Sequence, residues 1–210
     1  VVDSVGAGPV RTGVTAVVPH PDVYENQLFA AAVALNGNGE MTGMEWIAER
    51  GLLESPIVLT NTLSVGEAYS GVVMHMLAQS PTRVPLPVVA ECYDGGLNDI
   101  AGRHVSIQHV VQAITEARGG PVSEGSVGAG TGMRAYGFKA GIGTASRRLA
   151  SGTTVGVLVN ANCGRRHELV VDGVPAGVML EDEAPERTRD GSIIVVIATD
   201  APLQPYQLQR

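Results

Sequence analysis

Ser192 has the setting in this sequence that could best support covalent chemistry. It follows Gly191 and begins an apolar, β-branched run that ends at Thr199. A serine hydroxyl can attack the carbonyl carbon just before it and form an ester through an N→O shift, and glycine at the preceding position leaves that carbonyl sterically open. Hydrolysis of the ester would give Ser192 a free α-amino group, which is partly neutral at pH 7 and can act as a base for its own hydroxyl.

The same pair of residues also has a simpler interpretation. A Gly-Ser pair before a strand is usually only a turn, so Gly191 and Ser192 alone leave self-cleavage open. The preceding stretch, 181–191, is rich in charged side chains and has no large apolar anchor. It predicts a solvated, mobile loop. A strand after such a loop would hold Ser192 rigidly.

The glycine-rich segment 128–132 resembles a dinucleotide-binding loop only at first sight. Its spacing is G-x-G-x-G rather than G-x-G-x-x-G, no clean strand precedes it, and no Gly-Lys-Ser/Thr follows it. We therefore interpret it as a turn in which glycine lets the backbone pack closely, and we expect no nucleotide cofactor.

The histidines and cysteines do not form a recognisable site. The five histidines show no H-x-x-x-H or H-E-x-x-H spacing, so we expect no metal. Cys92 and Cys163 could pair, but they lack C-x-x-C spacing, and we interpret each as a buried apolar residue. The G-x-S-x-G pattern of a nucleophile elbow is absent.

Strands and helices that could position these residues follow one another along the chain. Capping-box patterns at 42–45 and 64–67 predict two helix starts. Because there is no break in composition, we predict one α/β domain. The predicted strands are 14–18, 28–35, 56–60, 86–91, 155–159, 169–171 and a buried strand over 192–199. The predicted helices are a short one that opens with the capping box at 42–45 and ends near Gly51, two more over 64–79 and 107–118, and one that begins at Asp200.

Composition excludes several classes of protein. The 210 residues are 44% hydrophobic and 17% charged, which excludes a disordered chain. A net charge of −7 argues against a nucleic-acid or anionic-membrane partner, and no apolar run is long enough for a transmembrane helix. With two cysteines and no visible signal peptide, we expect a cytoplasmic protein. The start at Val1 and the short terminal helix predict a chain truncated at both ends.

Nine stretches, in order along the whole chain, together resemble one family. Three of them are Leu35-Asn-Gly-Asn-Gly-Glu-Met-Thr-Gly43, Val88-Val-Ala-Glu-Cys-Tyr-Asp-Gly95 and Gly191-Ser-Ile-Ile-Val-Val-Ile-Ala-Thr-Asp-Ala-Pro-Leu203. The chain resembles the DmpA-type aminopeptidases, which comprise L-aminopeptidase/D-esterases and β-peptidyl aminopeptidases. The resemblance implies a four-layer αββα sandwich, as in ornithine acetyltransferase-like proteins, with a topology distinct from that of Ntn hydrolases. The other stretches are 8–16, 59–62, 97–99, 125–133, 138–146 and 155–159.

The resemblance also implies a precursor that cleaves itself between Gly191 and Ser192. Residues 1–210 would form a single DmpA-like domain, in which 1–191 belong to the α subunit and 192–210 begin the β subunit. The expected substrates are small peptides, amides and esters with a free amino terminus. No cofactor, nucleic acid or membrane is implied, and the family usually forms oligomers, which predicts a homo-oligomer.

The resemblance also implies roles for particular residues. Ser192 would be the nucleophile, and an oxyanion-hole asparagine would be Asn162, or else Asn160. Glu91 would bind the α-ammonium group of the substrate, and Tyr93 could add an oxyanion donor through its phenol. The family usually has an aromatic residue where this chain has Cys163, which could alter the pocket wall.

Other functions remain open at this point. The family's remaining catalytic serine and glutamate lie some tens of residues after the nucleophile, beyond Arg210, so we expect the isolated fragment to be inactive. An acyltransferase of the ornithine acetyltransferase type is one alternative, although that family normally uses threonine as the nucleophile. A non-catalytic homologue that kept the scaffold is the other.

Overall fold

The computed structural model describes residues 8–180 and 191–210. The five α-helices of these ranges are α1 (Met44–Arg50), α2 (Val65–Gln79), α3 (Ile107–Thr115), α4 (Ala176–Met179) and α5 (Pro205–Leu208). The strands are β1 (Thr15–Val17), β2 (Leu28–Phe29), β3 (Leu52–Leu53), β4 (Ile57–Asn61), β5 (Val88–Cys92), β6 (Arg134–Ala135), β7 (Phe138–Lys139), β8 (Ile142–Arg148), β9 (Thr154–Asn162) and β10 (Ser192–Thr199). The expected α/β fold is confirmed.

A three-stranded sheet with the order β1-β4-β5 carries two helices on one face. β4 and β5 run parallel, and β1 is antiparallel to β4. Strand alternation turns Val58 and Val89 toward the helices, and both are completely buried. They pack against Val72 of α2 and Val110 of α3. This apolar layer fixes the carboxyl end of β5, where Glu91 and the chain leading to Tyr93 lie.

A second sheet, with the order β10-β9-β8, covers the other face of the first. All of its pairings are antiparallel. Leu59 and Ala90 of the first sheet pack against Leu158 and Ile194 of the second. Within the ladder, Ser192 lies opposite Asn162, and Ile194 lies opposite Asn160. The alternation of β10 therefore points Ser192 and Ile194 toward the first sheet.

The outer face of the second sheet is uncovered by the described residues, which corrects one prediction. The run 192–199 is a strand with the predicted bounds, but it is not buried on both sides. Ile193, Val195 and Ile197 are 40%, 46% and 67% exposed. The continuous apolar sequence therefore indicates a face that needs a further layer to cover it.

Three other predicted elements differ from the structure. The strand over 28–35 stops at Phe29, because its partner β3 has only two residues. The strand over 169–171 is a tight turn instead: Val171 forms an isolated bridge with Val174, and Asp172 between them has a φ of 51°. The last helix begins at Pro205 rather than at Asp200, because the Asp200 carboxylate accepts a hydrogen bond from the Thr154 amide at 2.7 Å.

The capping residues also depart from the sequence patterns. Both predicted helices form, but neither Thr42 nor Ser64 caps one through its side chain. The Thr42 hydroxyl donates to the Pro87 carbonyl at 2.6 Å and accepts from the Val89 amide at 3.0 Å, so it ties this segment to β5. A capping box between Ser106 and His109, which no sequence pattern had indicated, opens α3.

Helix length bears on membrane insertion. The longest described helix, α2, has 15 residues, and none of the helices in 8–180 and 191–210 has the length and apolar character needed to cross a bilayer. The predicted mobile loop 181–191 lies, apart from Gly191, outside the described residues.

Candidate active site

The Ser192 hydroxyl is the point at which three of the predicted site residues meet. Ser192 is the first residue of β10 and faces the end of β5. Its Oγ accepts a hydrogen bond from Asn162 Nδ2 at 3.1 Å and another from the main-chain N–H of Tyr93 at 3.3 Å. Two strands of one sheet and the end of a strand of the other therefore hold this hydroxyl between them.

The side-chain amide of Asn162 is fixed at both ends. Its Nδ2 also donates to the Tyr93 carbonyl at 2.8 Å, and its Oδ1 accepts from the Arg134 main-chain N–H at 3.1 Å. An amide has two N–H donors, and here one is directed at Tyr93 and one at Ser192. Because Oδ1 is held by a donor, the amide cannot turn over without losing these bonds.

Tyr93 contacts Ser192 through its main chain, whereas the prediction concerned its phenol. The side chain is half-exposed, and a Cβ atom at Gly95 would lie 2.5 Å from the phenol oxygen. The ring is therefore folded over Gly95. The phenolic donor stays a prediction, while the N–H at Ser192 is a donor that sequence reasoning missed.

Asn160, the other candidate asparagine, lies two residues earlier in β9 and faces the same side. It is completely buried, and neither polar atom of its side chain has a hydrogen-bond partner within the described residues. Its main-chain carbonyl accepts a hydrogen bond from the Cys92 thiol at 3.8 Å. Of the two asparagines, the structure brings Asn162 to Ser192.

Glu91 is held beside the site without contacting Ser192. The residue is only 7% exposed. Its Oε1 accepts from the Glu40 main-chain N–H at 3.1 Å, and its Oε2 accepts from the Thr62 hydroxyl. In the described part of the chain no basic side chain forms an ion pair with it, so this buried carboxylate can still be neutralised by a cation from outside.

Both cysteines are free thiols close to Ser192. Cys92 is completely buried, and burial raises its pKa to about 12, against the opposing effect of a hydrogen bond to the Ser192 side chain. Burial also raises the pKa of Cys163. A thiol with a raised pKa is a poor nucleophile near neutral pH. The buried role is confirmed for Cys92, whereas Cys163 is partly exposed.

Gly191 packs directly against the end of β9. A Cβ atom at this position would lie 2.8 Å from the Cys163 Cα atom and 3.0 Å from the Asn162 carbonyl oxygen. Backbone atoms cannot move aside as a flexible side chain can. Any larger residue at position 191 would therefore clash with the backbone at the end of β9, and this steric reason for glycine is not visible in the sequence.

Several contributors had no signal in the sequence. Thr62 and the main-chain N–H groups of Glu40, Tyr93 and Arg134 are recruited by the fold, and a main-chain donor carries no residue signature. Among the residues that the structure describes, no three His, Cys, Asp or Glu side chains lie together as metal ligands would.

Comparison with known proteins adds independent information. A family model described as Peptidase family S58 matches residues 2–210. The beta-peptidyl aminopeptidase BapA of Sphingosinicella microcystinivorans is 46% identical over 98% of this chain and 57% of its own length. The enzyme of the same name from Sphingosinicella xenopeptidilytica is 42% identical over 98% of this chain and 56% of its own length.

Solved structures agree with these matches. A beta-aminopeptidase from Burkholderia sp. superposes with a TM-score of 0.88 and 50% identity, over 96% of this chain and 57% of that one. The L-aminopeptidase D-Ala-esterase/amidase of Ochrobactrum anthropi superposes with a TM-score of 0.84 and 43% identity, over 96% of this chain and 58% of that one. This chain thus spans a little over half the length of these relatives.

The description of the second structure bears on the expected topology. This structure is described as a prototype for the serine aminopeptidases and as a new variant among the Ntn hydrolase fold. That neighbour is thus grouped with the Ntn hydrolase fold as a variant of it, whereas the resemblance had implied a topology distinct from that of the Ntn hydrolases.

Proposed function

Because the chain belongs to peptidase family S58, a family of aminopeptidases and hence of hydrolases, we propose that the whole protein is a self-processing serine aminopeptidase. The resemblance to the DmpA-type aminopeptidases is confirmed at the level of the family. The observation that carries the proposal is the convergence of Asn162 Nδ2 and the Tyr93 N–H on the Ser192 hydroxyl.

The first reaction in this proposal is self-cleavage between Gly191 and Ser192. Ser192 Oγ attacks the Gly191 carbonyl carbon, the C–N bond breaks, and the hydroxyl proton passes to the Ser192 nitrogen. The product is an ester between Gly191 and the Ser192 side chain. Water then hydrolyses this ester, which leaves a carboxylate on Gly191 and a free α-amino group on Ser192.

The second reaction uses the terminus that the first has made. The neutral α-amino group of Ser192 takes the proton of its own hydroxyl as Oγ attacks the substrate carbonyl. The leaving amine or alcohol departs with that proton, and water releases the acyl group from Ser192. A fixed N–H donor stabilises developing negative charge on oxygen without having to reorient, and Asn162 Nδ2 is the candidate for this role.

Recognition of a free amino terminus is assigned to Glu91. The carboxylate is nearly buried, and its two oxygens are positioned by Thr62 and by the Glu40 main chain. A substrate ammonium group could supply the missing cation. Its charge-assisted hydrogen bond to Glu91 would favour binding of a free amino terminus over an acylated one. Small peptides, amides and esters with a free amine are the substrates that fit, in keeping with the names of the relatives.

The finer architecture forms part of the same proposal. A second helix layer over the outer face of β10 would cover Ile193, Val195 and Ile197 and complete a four-layer αββα sandwich. Residues 1–210 would then belong to one domain, with 1–191 in one subunit and 192–210 beginning the other. Assembly of the whole protein into a homo-oligomer also stays a proposal.

A pair of matched substrates tests this function. We expect the whole protein to release p-nitroaniline from an amino-acid anilide with a free amine and not from its N-acetyl derivative. Ser192→Ala serves as the inactive control. Equal rates on both substrates would contradict the aminopeptidase assignment. Preferential formation of a hydroxamate when hydroxylamine is added would favour the acyltransferase instead.

A further inference from the structure

Lys139 is the only lysine in a sequence that otherwise uses arginine for its basic side chains. It lies on β7, and its ammonium group donates to three main-chain carbonyls: Gly130 at 3.1 Å, Met133 at 3.1 Å and Ala140 at 2.6 Å. Within the described ranges no carboxylate forms an ion pair with it. The charge of Lys139 is therefore directed at the backbone of the glycine-rich loop before β6.

One of these carbonyls belongs to the peptide group that holds Asn162. The Met133 carbonyl also accepts from the Ala140 N–H at 3.1 Å, and the N–H of the same peptide group, that of Arg134, donates to Asn162 Oδ1 at 3.1 Å. A peptide group is rigid and planar, so fixing its oxygen also fixes the direction of its N–H.

The contacts form an unbroken series that ends at the nucleophile. From Lys139 they run through the Met133–Arg134 peptide to Asn162, whose Nδ2 donates to Ser192 Oγ. Hydrogen bonds in series polarise one another, and a cation at one end strengthens the donors beyond it. The effect at Ser192 would be a better directed and more acidic N–H on Asn162.

We propose that Lys139 is a positioning residue, which orients and polarises the Asn162 amide through the Met133–Arg134 peptide. This inference rests on the proposed function, since it matters to catalysis only if Ser192 is the nucleophile. It gives a role to the segment 138–146 that the family resemblance had singled out without one. It also explains why two carbonyls of the turn at 128–134, those of Gly130 and Met133, are directed at the Lys139 ammonium group.

The chemistry of the side chain favours lysine over arginine here. An ammonium group has three N–H donors arranged around one atom and can satisfy three carbonyls that converge on it. A guanidinium group spreads its donors in a plane and cannot reproduce that arrangement. Lys139 is exposed as a residue, and partial desolvation of its ammonium group, together with the nearby Arg11 charge, lowers its pKa.

The test compares Lys139→Met with wild type in the whole protein, with Arg118→Met as a matched control that removes an exposed positive charge elsewhere. We expect Lys139→Met to lower kcat about tenfold with KM within about twofold, the size of loss that removing an orienting partner typically causes. Arg118→Met should leave both constants unchanged. An unchanged kcat in Lys139→Met would overturn the proposal.

A double-mutant cycle separates positioning from a general structural role. If Lys139 acts through Asn162, then Lys139→Met should cost nothing further in an Asn162→Ala background. Losses that multiply in the double variant would contradict the proposal. Lys139→Arg provides a second variant if Lys139→Met does not fold, and wild-type kcat in Lys139→Arg would equally contradict it.

Hydrogen–deuterium exchange gives a readout that does not depend on activity. The Arg134 amide should exchange faster in Lys139→Met than in wild type, as followed by mass spectrometry of a peptide covering 133–139. If wild type is inactive while the exchange differs as expected, the proposed function fails and the positioning role of Lys139 stands. Identical exchange in both proteins would refute that role.

Discussion

The side-chain amide nitrogen of Asn162 lies 3.1 Å from the hydroxyl oxygen of Ser192, its partner across the antiparallel ladder of β9 and β10. The ladder register sets this distance, and the Arg134 main-chain N–H sets the orientation of the amide. The candidate nucleophile and its donor are therefore placed by backbone pairing rather than by flexible loops, which is the arrangement that a preorganised site requires.

Replacing Asn162 should affect catalysis, whereas replacing Asn160 should affect stability. We expect Asn162→Ala to lower kcat of the whole protein by about 100-fold, because one donor to developing charge is lost. Asn160 is buried, and its amide atoms are unpaired within the described part of the chain, so Asn160→Leu should raise the free energy of unfolding by about 1 kcal/mol and keep activity. Steady-state kinetics give kcat of both variants, and chemical denaturation gives their free energies of unfolding. A large loss of kcat in Asn160→Leu with unchanged kcat in Asn162→Ala would contradict the assignment of Asn162 to the site.

Gly191→Ala should slow self-cleavage. The added methyl group would lie 2.8 Å from the Cys163 Cα atom, so either the chain at 191 or the end of β9 must shift. Gly66→Ala is the matched control, because a Cβ atom there meets nothing within 4 Å. We expect gel analysis of freshly made protein to show delayed cleavage in Gly191→Ala alone. Equal rates in both variants would argue against close packing at position 191.

Glu91→Gln should weaken binding of substrates that carry a free amine. The amide keeps the size of the side chain and removes its charge, so we expect KM to rise by about tenfold or more, the worth of one charge-assisted hydrogen bond. Glu49→Gln removes an exposed carboxylate and should leave KM unchanged. Kinetics on a free-amine anilide measure both variants. An unchanged KM in Glu91→Gln would remove that residue from amine recognition.

Asp94 predicts a pH-dependent difference in stability. It is 1% exposed, and burial raises its pKa, against the hydrogen bond that the Asn98 side-chain amide donates to its Oδ1 at 3.0 Å. Because the folded state holds the proton more tightly than the unfolded state, this group favours folding at low pH, and that contribution is lost as pH rises through the folded pKa. Asp94→Asn avoids the loss, so its gain in Tm over wild type should be larger at pH 7 than at pH 3.5. Thermal melts at both pH values measure this gain in Tm, and an equal gain at pH 7 and pH 3.5 would refute the prediction.

The sequence alone was sufficient for the strands that carry the site. Apolar runs located β4, β5, β9 and β10 within a few residues, because a buried strand leaves a direct pattern in composition. The β9 prediction ended at Val159, whereas the strand continues to Asn162. That extension decides which asparagine faces Ser192, and it depends on pairing with β10, which no local pattern contains.

The remaining features of the site depend on contacts between distant segments. The phenol of Tyr93 was the obvious donor from its residue type, but its main-chain N–H is the group at Ser192. Thr62 and Lys139 act on Glu91 and on the Met133 carbonyl through tertiary contacts. Such roles arise when separate parts of the chain meet, so they are visible only in the folded molecule.

Intact-mass analysis of the whole protein and of its Ser192→Ala variant tests self-processing most directly. Wild type should give two polypeptides, the second beginning with Ser192-Ile-Ile, and Ser192→Ala should give one uncut polypeptide without activity. A wild-type protein that stays uncut while it turns over substrate fully would contradict the account.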